Sequence, residues 1–257
     1  MKDLAIFEEA VRLSREAVPF ALVTIIESKG STPRKAGAKM IVKGDGSTFG
    51  TIGGGKVELD AIEAAGAAIH RGSPETFSVS LTEAEGHVCG GNLTIYIEPQ
   101  GVMPHLVIFG AGHVGRALAT VARFAGFRVT AADGRAAYAT KDAVPEADEI
   151  LFGDSGTVLA GLQVGLNTYI VIATPDYESD FAAARAALKT SAGYIGVIGS
   201  RRKREALLKE LRGDGYQEKE LSRITIPVGL PIGGDSPEEI AVSIVAQMIQ
   251  KRTGRGS

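Results

Sequence analysis

His105-Leu-Val-Ile-Phe-Gly-Ala-Gly-His-Val-Gly115 is the stretch that decides the fold of the second half of this 257-residue chain. Leu106 to Phe109 are apolar and partly β-branched, which reads as a buried strand. Gly110-x-Gly112-x-x-Gly115 follows at once and opens a helical stretch from Val114 to Phe124. Each glycine has a separate job in such a turn. The first allows the tight bend, the second lets a pyrophosphate approach bare backbone, and the third lets helix and strand touch. Arg128-Val-Thr-Ala-Ala132 is the next strand and ends at Asp133, 18 residues after Gly115, where an acid can accept from ribose hydroxyls. Gly110, Gly112, His113, Gly115 and Asp133 are therefore expected around a nucleotide or phosphate, with Arg135 placed to hold a second phosphate.

Outward from this fingerprint the same rhythm continues. Glu149-Ile-Leu-Phe152, Thr168 to Ala173 and Tyr194 to Ile198 are short apolar strands, and helical stretches separate most of them. Alternating β and α with continuous apolar strands predicts a doubly wound parallel sheet. The last helix is signalled by Ser236-Pro-Glu-Glu239, with an N-cap, proline at N1 and a capping-box glutamate, and Ile240, Ile244 and Met248 fall on one face. Pro99 to Pro104 reads as a linker. Before it lies a unit of different character: a helix over Asp3–Glu16, strands at Phe20–Ile26, Lys39–Val42 and Thr48–Ile52, a helix over Val57–Ile69, and alternating strands at Phe77–Leu81 and Leu93–Ile97. The expected class is α/β: an N-terminal mixed α+β domain over 1–101, then a Rossmann-like doubly wound domain over 104–257 with a C-terminal helix.

The first unit carries its own candidates. Gly50-Thr-Ile-Gly-Gly-Gly55-Lys56 has the spacing of a phosphate-binding P-loop, but Val57 stands where the magnesium ligand Ser or Thr is required, and the host is not βαβ-like. Nucleotide hydrolysis is set aside. What survives is physical: Gly53, Gly54 and Gly55 have no side chains to block an anion at a helix N-terminus. Gly30-Ser31-Thr32-Pro33-Arg34 joins two strands and offers hydroxyls and a guanidinium to a phosphate or a pterin edge. His87-Val-Cys89-Gly90-Gly91 holds the sole cysteine, flanked by glycines that leave sulfur accessible to soft metals. A His-x-Cys pair is too little for a closed zinc site. In the second unit, Ser200-Arg201-Arg202-Lys203-Arg204 puts four cations at a helix start, against the macrodipole, which points to an anionic partner. Thr174-Pro-Asp-Tyr-Glu-Ser-Asp180 lies on the ligand side of the sheet, its carboxylates serving a ligand or capping the next helix.

Composition narrows the classes. Net charge is −2, with 44% hydrophobic and 23% charged residues, so no global attraction to nucleic acid or anionic lipid is expected. No apolar run reaches the ~18 residues of a membrane span. One cysteine permits no intrachain disulfide, and Met1-Lys2-Asp3-Leu4 lacks a signal-peptide core, which favours the cytoplasm. No Ser-x-x-x-Tyr-x-x-x-Lys set for hydride transfer stands out. A homodimer is the expectation on frequency alone.

Taken together these stretches resemble the XdhC/CoxI family, accessory proteins of xanthine dehydrogenase-type molybdenum hydroxylases. The resemblance spans nearly the whole chain. Its marks are Gly-Ser-Thr-Pro-Arg at 30–34, Gly-Gly-Gly-Lys-Val-Glu at 53–58, Cys-Gly-Gly at 89–91 and Phe-Gly-Ala-Gly-His-Val at 109–114. Asp133-Gly-Arg135, Ile198-Gly-Ser-Arg-Arg-Lys203 and Ser236-Pro-Glu-Glu-Ile-Ala-Val-Ser-Ile244 complete the set. The family pattern usually has a histidine after the threonine at the strand end; Pro175 stands there, so no role is carried over to that position. The resemblance implies a chaperone, more a maturation factor than an enzyme. It would bind molybdenum cofactor as molybdopterin or its dinucleotide form, support its sulfuration with a cysteine desulfurase or sulfurtransferase, and deliver it to an apo molybdenum hydroxylase. On their chemistry Arg34, Ser200, Arg201 and the glycine turns are expected to hold the anionic end of that cofactor, with Cys89 and Gly90 at the molybdenum end. Whether the fingerprint at 110–115 holds NAD(P), the cofactor's nucleotide or nothing stays open. An NAD(P)-dependent oxidoreductase and an NAD(P)-responsive regulator are the alternatives.

Overall fold

The computed structural model describes residues 2–16, 18–81 and 91–253 and divides into two compact units, Met1–Val102 and Met103–Ser257. In the first unit, α1 (Lys2–Arg15) leads into β1 (Phe20–Gly30), β2 (Lys39–Lys43), β3 (Thr48–Gly50), α2 (Gly55–Arg71), β4 (Glu75–Leu81) and β5 (Gly91–Gln100). The five strands form one antiparallel sheet in the order β3-β2-β1-β5-β4. Strand alternation then assigns the faces. Ala21, Val23 and Ile25 of β1, Met40 and Val42 of β2, and Leu93, Ile95 and Ile97 of β5 pack with Val57, Ala61, Ala65 and Ala68 of α2. Phe20 and Ile41, one residue out of phase, pack with Ile6 and Leu13 of α1.

Two boundaries differ from the sequence expectation. The strand expected over Thr48–Ile52 stops at Gly50, and Ile52, 1% exposed, turns in to join the α2 core. Pro99 and Gln100, read as linker, continue β5 and pair with Ala21 and Phe20. Strand β4 has its last pair at Glu75 with Ile97, so β5 overruns it there. A proline's missing N–H breaks no ladder on that side.

The second unit contains β6 (His105–Phe109), α3 (His113–Phe124), β7 (Arg128–Asp133), β8 (Glu149–Phe152), α4 (Ser155–Gly161), β9 (Thr168–Ile172), α5 (Tyr177–Leu188), β10 (Tyr194–Val197), α6 (Arg201–Gly213), α7 (Glu218–Leu221), β11 (Ile224–Thr225) and α8 (Pro237–Thr253). Its six strands are parallel, in the order β11-β10-β9-β6-β7-β8. Written from β6 as the first strand, this is the 3-2-1-4-5-6 order of the Rossmann fold. Successive residues of β6 serve opposite faces: Leu106 and Ile108 join α3 and α8, while Val107 and Phe109 join α5 and α6. The capping box of α8 is present, Glu239 N–H donating to Ser236 Oγ at 3.2 Å and Ser236 N–H to Glu239 Oε2 at 3.1 Å. Ile244 and Met248 are buried against Leu118, Ala119 and Ala122 of α3.

One buried ion pair ties the ends of β9 and β10. Asp180 on α5 is 1% exposed and accepts from Thr174 Oγ1 at 2.6 Å and from Lys203 on α6. The Lys203 ammonium also donates to the Ile198 carbonyl at 2.7 Å. A buried carboxylate that loses its cation is costly, on the order of 3–5 kcal/mol. Lys203→Met is therefore expected to lower the urea unfolding free energy at pH 7 by about that amount. Asp180→Asn combined with Lys203→Met, which strands no charge, is expected to lose clearly less; equal losses would show that the stranded carboxylate is not the source of the cost.

Candidate functional site

The C-terminal ends of β6, β7, β8 and β9 surround a cleft of about 430 Å³. It lies where the chain leaves β6 and β9 toward opposite sides of the sheet, the switch point at which such sheets bind ligands. Gly110, Asp133, Arg135, Asp154, Thr174 and Asp176 are among its walls. Gly110 has φ +105°, and a Cβ there would lie 2.2 Å from the Ala173 carbonyl oxygen. A Cβ on Gly115 would lie 1.9 Å from the Gly110 carbonyl oxygen. Both positions demand glycine for packing alone. Gly112 differs: no atom lies within 4 Å of a Cβ built on it, so its surface is open. It is the N-cap of α3 and supplies no side-chain acceptor, which leaves the helix's first amides to a ligand or water. His113 is the first residue of α3 and is exposed.

Asp133 is held more tightly than a ribose acceptor need be. Its Oδ2 accepts from the Ala111 N–H at 2.9 Å and from Arg135 Nη2 at 2.8 Å. Its Oδ1 accepts from Arg135 Nε and from the Arg135 N–H, both at 2.9 Å. Burial opposes ionisation of this carboxyl, but the Arg135 guanidinium and the two N–H groups outweigh it and keep it below the ordinary aspartate range. Asp154 and Asp176 cap α4 and α5, accepting from Thr157 N–H at 3.0 Å and Ser179 N–H at 2.8 Å. The capping reading of the 174–180 carboxylates thus holds for Asp176, and Asp180 serves the ion pair. Sequence reasoning misses Gly153-Asp154-Ser155, although an N-cap aspartate directly after a short strand is the signal that finds it.

Ser200 caps α6, accepting from the Lys203 N–H at 3.3 Å, and Arg201 is exposed at its first residue. Neither is among the described residues lining the cleft. Of the four cations there, Lys203 is engaged by Asp180.

In the first unit three motifs far apart in sequence meet. Gly30 at the end of β1 pairs with Gly91 at the start of β5. A Cβ on Gly91 would lie 2.2 Å from the Ser31 carbonyl oxygen and 2.9 Å from Thr32 Cγ2, so only glycine fits beneath this loop. On the other side, a Cβ on Gly53 would lie 3.0 Å from Pro33 Cβ and 3.6 Å from Arg34 Cγ. The loop is preformed: Thr32 Oγ1 donates to the Arg34 carbonyl at 2.8 Å. Arg34 is exposed and has no ion-pair partner among the described residues. Cys89 and Gly90 lie outside the described residues.

The triple glycine is an anion cradle that the chain fills itself. Gly53, Gly54 and Gly55 have φ of +136°, +78° and +66°, and the Glu58 carboxylate accepts from the N–H groups of Ile52 and Gly54, both at 3.0 Å. Thr51 Oγ1 donates to the same oxygen at 2.6 Å. Glu58, the last residue of the 53–58 mark, thus holds the turn. The space above Gly54 and Gly55 is open.

A model of the XdhC Rossmann domain matches residues 106–248, and one of the XdhC and CoxI family matches residues 13–80. This chain belongs to the XdhC and CoxI family. It is 36% identical to the uncharacterized protein YqeB of Escherichia coli K12 over 250 residues, which are 95% of this chain and 46% of that protein. It is 36% identical over 156 residues to a probable xanthine dehydrogenase component of Bacillus subtilis 168, covering 61% of this chain and 44% of the other. It is 26% identical to the molybdenum cofactor insertion chaperone PaoD of E. coli K12, covering 95% and 86%. The chain spans about half the length of the first two relatives. A crystal structure of a xanthine dehydrogenase from Bacillus halodurans superposes with a TM-score of 0.54 at 24% identity over 97% of this chain and 96% of that one, which bears on the fold. Among the described residues no helix is long and apolar enough to cross a membrane, and no cluster of three or more His, Cys, Asp or Glu is placed to hold a metal.

The Glu58 plug has a pH signature. Burial raises its pKa, but the bonds from Thr51 and the N–H groups of Gly54, Ile52 and Gly53 pull harder, leaving it below 4.5. A depressed carboxyl stabilises the fold above its unfolded pKa, and that contribution fades as pH falls through the folded one. Glu58→Gln is expected to cost about 1–2 kcal/mol at pH 7. Thermal melts should show the gap to wild type closing below pH 4.5. A gap that stays constant into stronger acid would show that the charge plays no part.

Proposed function

We propose that this chain binds molybdenum cofactor, holds it for sulfuration by a cysteine desulfurase or sulfurtransferase, and delivers it to an apo molybdenum hydroxylase of the xanthine dehydrogenase type. The observation that carries the reading is the convergence of the 30–34 loop, Gly53 and Gly91 at one end of the first sheet. Family membership and the 26% identity with PaoD along 86% of its length support the cofactor class.

The residues present fit an anionic pterin in specific ways. Arg34 is an exposed guanidinium without an internal acid among the described residues, suited to a phosphate. Ser31 offers a hydroxyl beside it, while the Thr32 O–H is spent on the Arg34 carbonyl, fixing the loop and leaving Thr32 Oγ1 as an acceptor only. Gly54 and Gly55 leave an open wall for a planar ring. Because Glu58 takes the amides of Ile52 and Gly54, the positive charge comes from Arg34 rather than from the helix end. Cys89, two residues before Gly91 in sequence, is the proposed contact for molybdenum, since a thiolate is a soft ligand. When bound, the cofactor would supply the metal centre that the client uses. The proposed role of this chain is to hold and orient it, in the cytoplasm and as a homodimer.

The cleft of the second unit is the proposed seat of a nucleotide, either NAD(P) or the nucleotide of a dinucleotide cofactor. Its support is the switch-point position, the open face of Gly112 and the uncapped α3 amides.

The test is the metal and pterin content of protein purified anaerobically from molybdate-replete, cofactor-producing cells. Stoichiometric molybdenum with pterin fluorescence after oxidation is expected. Arg34→Ala should lower the retained cofactor at least about tenfold, equivalent to ~1.4 kcal/mol, with an unchanged melting temperature. Arg34 suits this test better than Gly54, whose φ of +78° makes any side chain there a backbone lesion. Cys89→Ala should retain pterin but less metal. Absence of both metal and pterin in wild type would end the carrier reading.

A further inference from the structure

We propose that the cleft of the second unit selects a nucleotide that carries a phosphate on its ribose 2′ position, and that Arg135 is the residue that recognises it. The inference rests on the nucleotide reading of this cleft and is independent of the pterin reading of the first unit.

The argument starts from Asp133. A carboxylate has about four lone-pair directions. All four are occupied here, by the Ala111 N–H, the Arg135 N–H, Arg135 Nε and Arg135 Nη2, at 2.8–2.9 Å. Asp133 is only 5% exposed, so no solvent-facing acceptor is left for a ribose diol. A nucleotide with free 2′ and 3′ hydroxyls would have to displace Arg135. That exchange trades a charge-assisted bidentate pair for neutral hydroxyl bonds and is unfavourable.

Arg135 is arranged the other way. Its Nε and one Nη2 hydrogen serve Asp133, which leaves the Nη1 hydrogens and the second Nη2 hydrogen available. The side chain is 41% exposed, and it lines the cleft. Its guanidinium carbon sits 3.8 Å from the centre of the Tyr138 ring, which fixes the plane of the fork from a second side. Arg135 is the one cation among the described residues lining the cleft. The other two acids that share the cleft stay ionised, and Asp176 also acts electrostatically on Arg135, but the lone pairs of both are held by helix ends. Asp154 accepts from the Thr157 N–H and Oγ1, and Asp176 from the Ser179 N–H and Oγ. A 2′-phosphate can therefore dock on the outer edge of Arg135 without disturbing the Asp133 pair. This places a dianion where the strand-end acid of a ribose-binding site would otherwise take hydroxyls.

Isothermal titration of the full chain with NADP+, NAD+, 2′,5′-ADP, 5′-ADP and inorganic phosphate tests this. NADP+ is expected to bind at least tenfold tighter than NAD+, and 2′,5′-ADP tighter than 5′-ADP, with inorganic phosphate far weaker than either. Arg135→Ala should abolish the difference by weakening NADP+ while NAD+ stays level or tightens, because Asp133 is released. Arg135→Lys, which keeps the charge but not the fork, should retain part of it. The wild-type ratio is decisive even if the alanine variant does not fold. Equal binding, or a preference for NAD+, overturns the 2′-phosphate inference and leaves the nucleotide reading standing. Binding of neither dinucleotide overturns both, and phosphate binding as tightly as 2′,5′-ADP reduces the site to a simple anion site.

Discussion

The second unit depends on two close approaches of backbone to backbone in one turn. Strand β6 must turn away at Gly110 against the Ala173 carbonyl of β9, and α3 must pass Gly115 over the Gly110 carbonyl. Side chains at either point would overlap a carbonyl oxygen at about 2 Å, which no repacking of soft neighbours relieves. Once these contacts are made, α3 starts at a fixed place, and its amides point over the end of β6. The Ala111 N–H in the same turn then reaches Asp133 of β7 and locks the neighbouring strand end to it. The cleft is what remains between these closely packed strand ends.

Much of the acidity near candidate sites is taken up by the protein's own backbone and cations. Glu58 fills the cradle of the triple glycine, Asp133 holds the fingerprint turn, Asp154 and Asp176 cap helices, and Asp180 neutralises Lys203. Apart from Asp176, which caps its own helix, each joins segments that are separate in sequence or pins a loop that carries glycines. This has a chemical consequence. Among the described residues, Arg34 in the first unit and the outer edge of Arg135 in the second are cations left open to a ligand. Both units thus offer ordered loops with an available guanidinium, which suits ligands that carry phosphate.

Elements with strong local signals were legible from sequence. The β6 strand, the Gly110–Gly115 turn and the α8 capping box are written in contiguous residues whose chemistry acts within a few positions, and each is found where it was read. Strand β11 was not legible, because two residues, Ile224 and Thr225, carry no period and exist as a strand only through pairing with β10. Pro99 misled for a related reason. Proline argues for a break locally, and only the overrun of β5 past β4 makes it harmless. The fate of individual charges was hidden in the same way. Nothing near Lys203 in sequence marks it, rather than Arg201, as the partner of an aspartate 23 positions earlier.

By itself the sequence determined the fold class, the family and the glycine turns, since turn chemistry, strand hydrophobicity and helix caps are short-range properties. Tertiary structure alone decided which acids are already satisfied and which motifs share a site. The Ser31–Arg34 loop meets Gly53 and Gly91 because β1 and β5 pair at Gly30 and Gly91, a contact 61 positions apart. Asp133 passes from ribose acceptor to internal clamp because the Ala111 amide and the Arg135 fork converge on it. Hydrogen-bond capacity is finite and is allotted in space, so a residue's availability to a ligand is fixed only when all its neighbours are in place.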